Sequence, residues 1–297
     1  MSATPFDSPL HRGLFGDKEI APLFTATAEV RAMLIVEGAL AQVQGAQGMI
    51  PAVSAAAIAR AAMEIQIDPA ALADGVATSG VSVPALIQTF RSEMNAPEHA
   101  QYVHFGATSQ DIIDTGLALR LRRVMHLFET RLRSLLSTLA RLTEERAETA
   151  MLARTWGHAA LPTSLGALIS SCALPLLHAY QGLSDVKDRL TLVSLSGAAG
   201  TASALGPNPE ALRKDLAKAL DLSDPETSWH TVRTGPLHLA QWATTVTTAL
   251  AKLGEDTIAL TASGGIALTG SGSTSTMPQK QNPVGPSLLV ALANHTN

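Results

Sequence analysis

Hydrophobic and polar positions alternate at helical spacings along most of the chain. After Thr25 or Thr27, the residues Val30, Met33, Leu34, Val36, Leu40 and Val43 recur in steps of three and four, with Ala39 and Ala41 between them. That spacing marks one face of an α-helix, and Gly48 and Pro51 end it. A second helix is predicted over about Val53–Met63. A third covers Val83–Met94, with Pro84 in its first turn, where a missing N–H is tolerated. Asn95-Ala-Pro97 then breaks the chain. From Asp111 to about Thr149 there is no proline and Gly116 is the one glycine. Leu121, Phe128, Leu135 and Leu142 repeat every seven residues there, as do Met125, Leu132 and Leu139. This double stripe predicts one long helix, a rod of roughly 50 Å at about 1.5 Å per residue. Further helices are predicted over Ser164–Leu183, Asp185–Val193, Pro209–Leu220 and Leu237–Leu260, with Gly and Pro marking the turns between them. Residues 1–20 read as an irregular arm. Ala262 to Gly285 is rich in Gly, Ser and Thr, and Leu288–Leu292 begins a last apolar helix.

The expected class is all-α, a bundle of long helices with a smaller helical N-terminal domain. The division expected is 1–110 for the N-terminal helical domain and 111–297 for the central helical bundle domain. Composition strengthens this reading. Hydrophobic residues make up 46% of the chain but aromatic residues only 4%. Alanine therefore carries much of the apolar fraction, and it favours helix over strand.

Charge and cysteine content remove several functions. Lys and Arg number 21 against 25 Asp and Glu, a net charge of -4, and no basic tract is longer than Arg122-Arg123. No nucleic-acid partner is expected. The single Cys172 excludes an internal disulfide framework and a thiolate metal cluster. The start Met1-Ser-Ala-Thr-Pro5 lacks the pattern of a signal peptide, and no charge-free apolar stretch approaches the ~20 residues of a membrane span. A cytoplasmic protein with no membrane partner is expected.

Three polar clusters carry candidate chemistry. The first runs from Val103 through His104, Thr108 and Ser109 to Asp111, just before the long helix. Hydroxyl and carboxylate side chains there cap a helix and leave N–H groups for an anion. His104 is a candidate proton donor or substrate ligand. Taken alone, the segment equally fits a plain cap with a structural histidine. The second is Arg154-Thr-Trp156-Gly-His158, after the long helix. Arg154 suits a carboxylate, whereas Trp156 has no proton to exchange and shapes the site instead. An interface tryptophan beside a surface arginine is the alternative. Because the helix between them is a rod, these two clusters share one site only if copies of the chain bring unlike ends together. The third is the loop Gly270 to Val284, containing Thr274, Ser275, Met277, Lys280 and Asn282. Its amides, Lys280 and Asn282 suit an oxyanion, and a linker is the plainer reading. The patterns G-K-[ST], G-x-G-x-x-G, G-x-S-x-G and H-E-x-x-H are absent. No metal and no organic cofactor are expected.

Together these segments resemble the fumarase/aspartase superfamily of lyases and cycloisomerases. Ser275-Thr-Met277-Pro-Gln-Lys280-Gln-Asn282-Pro is similar to its signature loop. His104-Phe-Gly-Ala-Thr108-Ser109-Gln-Asp111 and Arg154-Thr-Trp156-Gly-His158 are similar to its first and second conserved regions. Val36-Glu-Gly-Ala-Leu-Ala41, Ser196-Gly-Ala-Ala-Gly-Thr201 and Trp229-His-Thr-Val-Arg233 also fit. Trp156 stands where the fumarate-releasing lyases typically carry a catalytic histidine, and it resembles the cycloisomerase branch. The resemblance implies a cofactor-independent intramolecular lyase, in which a carboxylate of a substituted muconate adds to a conjugated double bond. It implies a homotetramer with active sites shared between subunits, acting on a tricarboxylate or related dicarboxylate.

By the same resemblance, Thr274 or Ser275 is the general acid and base, Lys280 and Asn282 stabilise the developing charge, and His158 adds proton-transfer capacity. His104, Thr108, Ser109, Arg154, Trp156, Arg233 and Met277 bind substrate. Some positions depart from the family pattern. Thr274 replaces a serine, Thr234 follows Arg233 where aspartate is common, and 261–269 lacks acidic residues. The family chain also runs on past this C-terminus, so a truncated bundle without the family's C-terminal domain is expected. Another lyase of the superfamily such as adenylosuccinate lyase, a cycloisomerase for a differently substituted (for example sulfonated) muconate, and a non-catalytic structural homologue are the alternatives.

Overall fold

The chain was analysed as a computed structural model, which describes residues 4–6, 8–269, 277 and 280–296. It divides into two compact units. The first joins residues 1–126 to 187–235, and the second joins 127–186 to 236–297.

The first unit is built on α1 (Ala26–Ala46) and α2 (Ala52–Glu64). Thr25 caps α1 by accepting from the Ala28 N–H, and Glu29 lies in its first turn; both complement the free N–H groups of a helix start. The periodic residues Val30, Met33, Leu34, Val36, Leu40 and Val43 are all buried, as the spacing predicts. The two helices lie unusually close where α1 carries glycine. A Cβ on Gly38 would come within 2.9 Å of the Ala62 Cβ, and one on Gly45 within 2.4 Å of the Ala55 Cβ. Gly45→Ala therefore sets two effects against each other. Alanine gains about 1 kcal/mol of helix propensity, but overpacking costs about 1–3 kcal/mol. The clash is expected to win and lower the urea midpoint, with Ala55→Gly restoring it in the double variant. A midpoint that rises in the single variant would show that the helices separate freely.

Around this pair stand α3 (Val83–Glu93), with Pro84 in its first turn, and later α7 (Pro209–Leu220). Val83, Leu86, Ile87 and Phe90 of α3 join one core with Leu212, Leu216 and Leu220 of α7 and with Val193, Leu195 and Leu205 of the irregular segment before it.

The long helix, α4 (Ser109–Glu145), has 37 residues, or about 55 Å. Leu121, Met125, Leu132 and Leu139 are buried along it, whereas Phe128, Leu135 and Leu142 are half-buried. Beyond its end the fold, all-α as expected, carries a short interruption. β1 (Ala150–Thr155) and β2 (His158–Ser164) form an antiparallel hairpin. Its two-residue turn, Trp156-Gly157, has positive φ at both positions, 52° and 78°, the geometry whose twist matches paired strands.

The helices described in the second unit are α5 (Leu165–Gln181), α8 (Thr234–Ala262) and α9 (Val284–Thr296). The short α6 (Leu183–Leu190) lies across the division between the units. Ser164 caps α5 through the Ala167 N–H. Trp242 of α8 donates its indole N–H to the Ala179 carbonyl at 2.9 Å and stacks near Phe128. Cys172 is buried beside Asp256, with Lys252 of α8 reaching both. Burial, and then the Asp256 carboxylate, push the Cys172 thiol above its ordinary pKa, so it is not a thiolate nucleophile. Among the described residues, no helix is long and apolar enough to cross a membrane.

Candidate active site

The first cluster sits where the chain enters α4. His104 and Gly106 both have positive φ, 63° and 72°. A Cβ on Gly106 would lie 2.4 Å from the Ala204 carbonyl oxygen, so this turn is pressed against the 202–205 segment and only glycine fits there. Gln44, buried in α1, donates to the Phe105 carbonyl at 2.7 Å. Glu37, two helical turns earlier in α1, places Oε1 at 2.7 Å from His104 Nδ1. A carboxylate only accepts, so the Nδ1–H of the ring donates to it and Nε2 is the nitrogen left for other work. The Glu37 side chain is fully buried, and its second oxygen has no hydrogen-bond partner.

Asp111 is the structural centre of the region. Its carboxylate is completely buried and accepts from the Ser196 N–H and the Gly197 N–H, each at 2.9 Å. The Thr108 N–H adds a bond of 3.1 Å and the Ser194 hydroxyl one of 3.3 Å. Thr115 reinforces the join. Its hydroxyl donates to the Ser194 carbonyl and accepts from the Ser194 N–H. The first turns of α4 are thus clasped to the 194–197 segment. Three residues on from Asp111, Asp114 holds Arg233 by two bonds of 2.9 Å. The guanidinium lies over the Trp229 ring at 5.5 Å, and the Trp229 indole donates to Val193. The hydrogen bond with Asp114 raises the Arg233 pKa above its ordinary value. Arg233, a candidate for substrate binding, therefore has its fork committed within the protein. Thr108 likewise spends its backbone N–H on Asp111.

His104 and Ser109 do meet at one open space. They line a cleft of about 450 Å³ with Val83, Pro84, Ile87, Gln88 and Arg91 of α3. Neither Arg91 nor Glu37 was among the residues the sequence singled out. Glu37 carries a readable signal, a carboxylate inside the apolar stripe between Val36 and Leu40. Arg91 has none beyond its place on a helix one turn past Ile87.

The second cluster belongs to the other unit. Arg154, Trp156 and His158 are all exposed at the hairpin tip, Trp156 by 98%. Arg154 Nη1 donates to the Gly157 carbonyl at 2.9 Å, closing the turn, and His158 pairs with Thr155 across it. Arg154 also lines a cleft of about 310 Å³ with Thr163, Asp256 and Leu260. Of the third cluster, Thr274 and Ser275 lie outside the described residues. Lys280 is exposed and donates its backbone N–H to the Met277 carbonyl at 3.0 Å. Asn282 is half-buried, and its carbonyl accepts from Val284 as α9 begins.

Comparison with known proteins fits this arrangement. A family model described as lyase matches residues 11–295. The 3-carboxy-cis,cis-muconate cycloisomerase of Pseudomonas aeruginosa is 37% identical over 278 residues, covering 91% of this chain and 61% of its own. That of Pseudomonas putida is 35% identical, covering 97% of this chain and 68% of its own. The crystal structure of the Pseudomonas putida 3-carboxy-cis,cis-muconate lactonizing enzyme superposes with a TM-score of 0.90 at 32% identity, over 97% of this chain and 66% of that one. The chain thus spans about three fifths to two thirds of the length of these relatives. The ordered motifs, the helical bundle and these matches agree: the chain belongs to the lyase family of the fumarase/aspartase superfamily.

Proposed function

We propose that this chain carries the chemistry of a 3-carboxy-cis,cis-muconate cycloisomerase, interconverting that tricarboxylate and 4-carboxymuconolactone in the protocatechuate branch of aromatic catabolism. The observation that carries the reading is the 35% identity to such an enzyme across 97% of this chain, with Trp156 standing where fumarate-releasing lyases typically carry a histidine.

The reaction needs no redox step. A carboxylate oxygen bonds to one carbon of the conjugated double bond. The displaced π pair moves to the neighbouring carbon and its carboxyl group as an aci-carboxylate. A general acid then protonates that carbon, and the reverse direction needs a base in the same place. In this reading Thr274 or Ser275 exchanges the proton. Lys280, Asn282 and the loop amides stabilise the aci-carboxylate. His104, Thr108 and Ser109 hold a carboxylate, while Arg154, Trp156 and Met277 shape the rest, with His158 beside them for proton transfer. Arg233 acts by fixing Asp114.

A homotetramer with shared sites fits the same reading. Trp156 at 98% exposure and Leu161 at 72% leave the hairpin with large apolar side chains in solvent, which supports cover by another chain there.

The test is loss of diene absorbance when the protein meets 3-carboxy-cis,cis-muconate, repeated after chelation. Rapid loss with lactone formation is expected in both cases. If this chain and one extended to its relatives' length are both silent, the cycloisomerase reading is wrong. Fumarate release from adenylosuccinate would move the protein to the eliminating branch.

A further inference from the structure

We propose that Arg91 is a substrate-binding residue, recognising one carboxylate of the tricarboxylate in the cleft it shares with His104 and Ser109. The inference rests on the reading above and names the part of the site that reads the charge of the substrate.

Three observations converge on Arg91. The cleft is lined from one face of α3, where Pro84, Ile87, Gln88 and Arg91 follow at spacings of three, one and three residues; positions so related stand one above another on a helix. Its other lining residues are Val83, His104 and Ser109, so among the described residues the lining contains no carboxylate and Arg91 is its one permanent charge. That is a marked local bias in a chain of net charge -4, and its volume of about 450 Å³ lies in the usual range for small-molecule sites.

The guanidinium is also held in place. Arg91 Nη2 donates to the Val103 carbonyl at 2.7 Å, and Val103 immediately precedes His104. One contact fixes the arginine against the strand of chain that delivers the histidine and leaves the rest of the fork open. Among the described residues, no ion pair links Arg91 to a carboxylate. Arg233 is the instructive contrast, because both arms of its fork are bound to Asp114. Planar, two-pronged donation is what a carboxylate selects. Gln88, one turn before Arg91 and exposed, adds an amide donor to the same wall.

The test is calorimetric binding of tricarballylate, a saturated tricarboxylate that cannot react, alongside turnover of 3-carboxy-cis,cis-muconate. Arg91→Gln is expected to weaken tricarballylate about 10- to 100-fold, the range for losing a charge-assisted hydrogen bond. KM should rise by a similar factor with kcat within about threefold, and Arg91→Lys should recover part of the binding. Gln88→Glu leaves the Val103 contact intact and puts a negative charge on the cleft wall, so it should weaken tricarballylate at least tenfold without changing the melting temperature. Unchanged binding in Gln88→Glu, or in a folded Arg91→Gln, overturns the proposal, as does failure of the unaltered protein to bind tricarballylate. Binding that depends on Arg91 in a protein with no muconate turnover would keep this cleft and discard the cycloisomerase reading. Turnover that ignores both substitutions would do the reverse.

Discussion

Asp111→Ala is expected to lose about 3–5 kcal/mol of folding stability, the cost of removing one member of a buried, hydrogen-bonded charged group. The Asp111 carboxylate is fully buried and receives the N–H groups of Ser196, Gly197 and Thr108 and the hydroxyl of Ser194. Removing it strands these donors, and an unsatisfied buried donor costs about 1–3 kcal/mol. Relief from burying a charge offsets part of the sum, which is why the expected loss is below the total for separate donors. Asp111→Asn should fall between the two, since its amide keeps one acceptor oxygen but turns an NH₂ group toward other donors. Denaturant unfolding reads both variants. A loss under about 1 kcal/mol for alanine would mean that water replaces the carboxylate and that the clasp on 194–197 is weak.

The second large effect falls on activity. Glu37→Leu is expected to lower kcat/KM for the proposed reaction about 100-fold, within the range seen when one preorganised polar contact is removed. Glu37 fixes the ring of His104 by a 2.7 Å bond from inside the protein. Without it the imidazole is free to rotate and to exchange tautomers, so Nε2 is no longer presented in one state. Stability should move the other way or barely at all. The side chain is wholly buried with one oxygen unpartnered, and an apolar side chain of similar size removes that liability. Glu37→Gln keeps an acceptor for Nδ1–H and should retain most activity. Equal losses in activity and in melting temperature for Glu37→Leu would reduce Glu37 to a packing role.

The helices were legible because burial repeats at a local period. Val30 to Val43, Val83 to Phe90 and the stripes of α4 needed only their own spacing to be read. The hairpin at 150–164 was not. Its strands are rich in Ala and Leu, and its turn is Trp-Gly, without the Asn or Asp that usually announces such geometry. Asp111 was visible only as a helix cap, because its partners lie 83 to 86 residues further along the chain and no local pattern records them. Arg233 drew attention through its motif, yet its role depends on Asp114, which spacing does not reveal. Arg91 is the converse, a site candidate set apart only by the wall it shares with His104.

The first unit is assembled from two stretches, 1–126 and 187–235, and this has a consequence for biosynthesis. At about 5–20 residues per second, the ribosome needs several seconds or more to pass from the end of the first stretch to the end of the second. Throughout that interval α1 to α3 have emerged without Val193, Leu195, Leu205, Leu212 and Leu216, which complete their core. The nascent chain therefore carries an open apolar surface while the intervening hairpin and α5 are being made. The fold is closed by a late segment, and slowing translation between 127 and 235 would lengthen the period in which chaperones or other nascent copies have access to it.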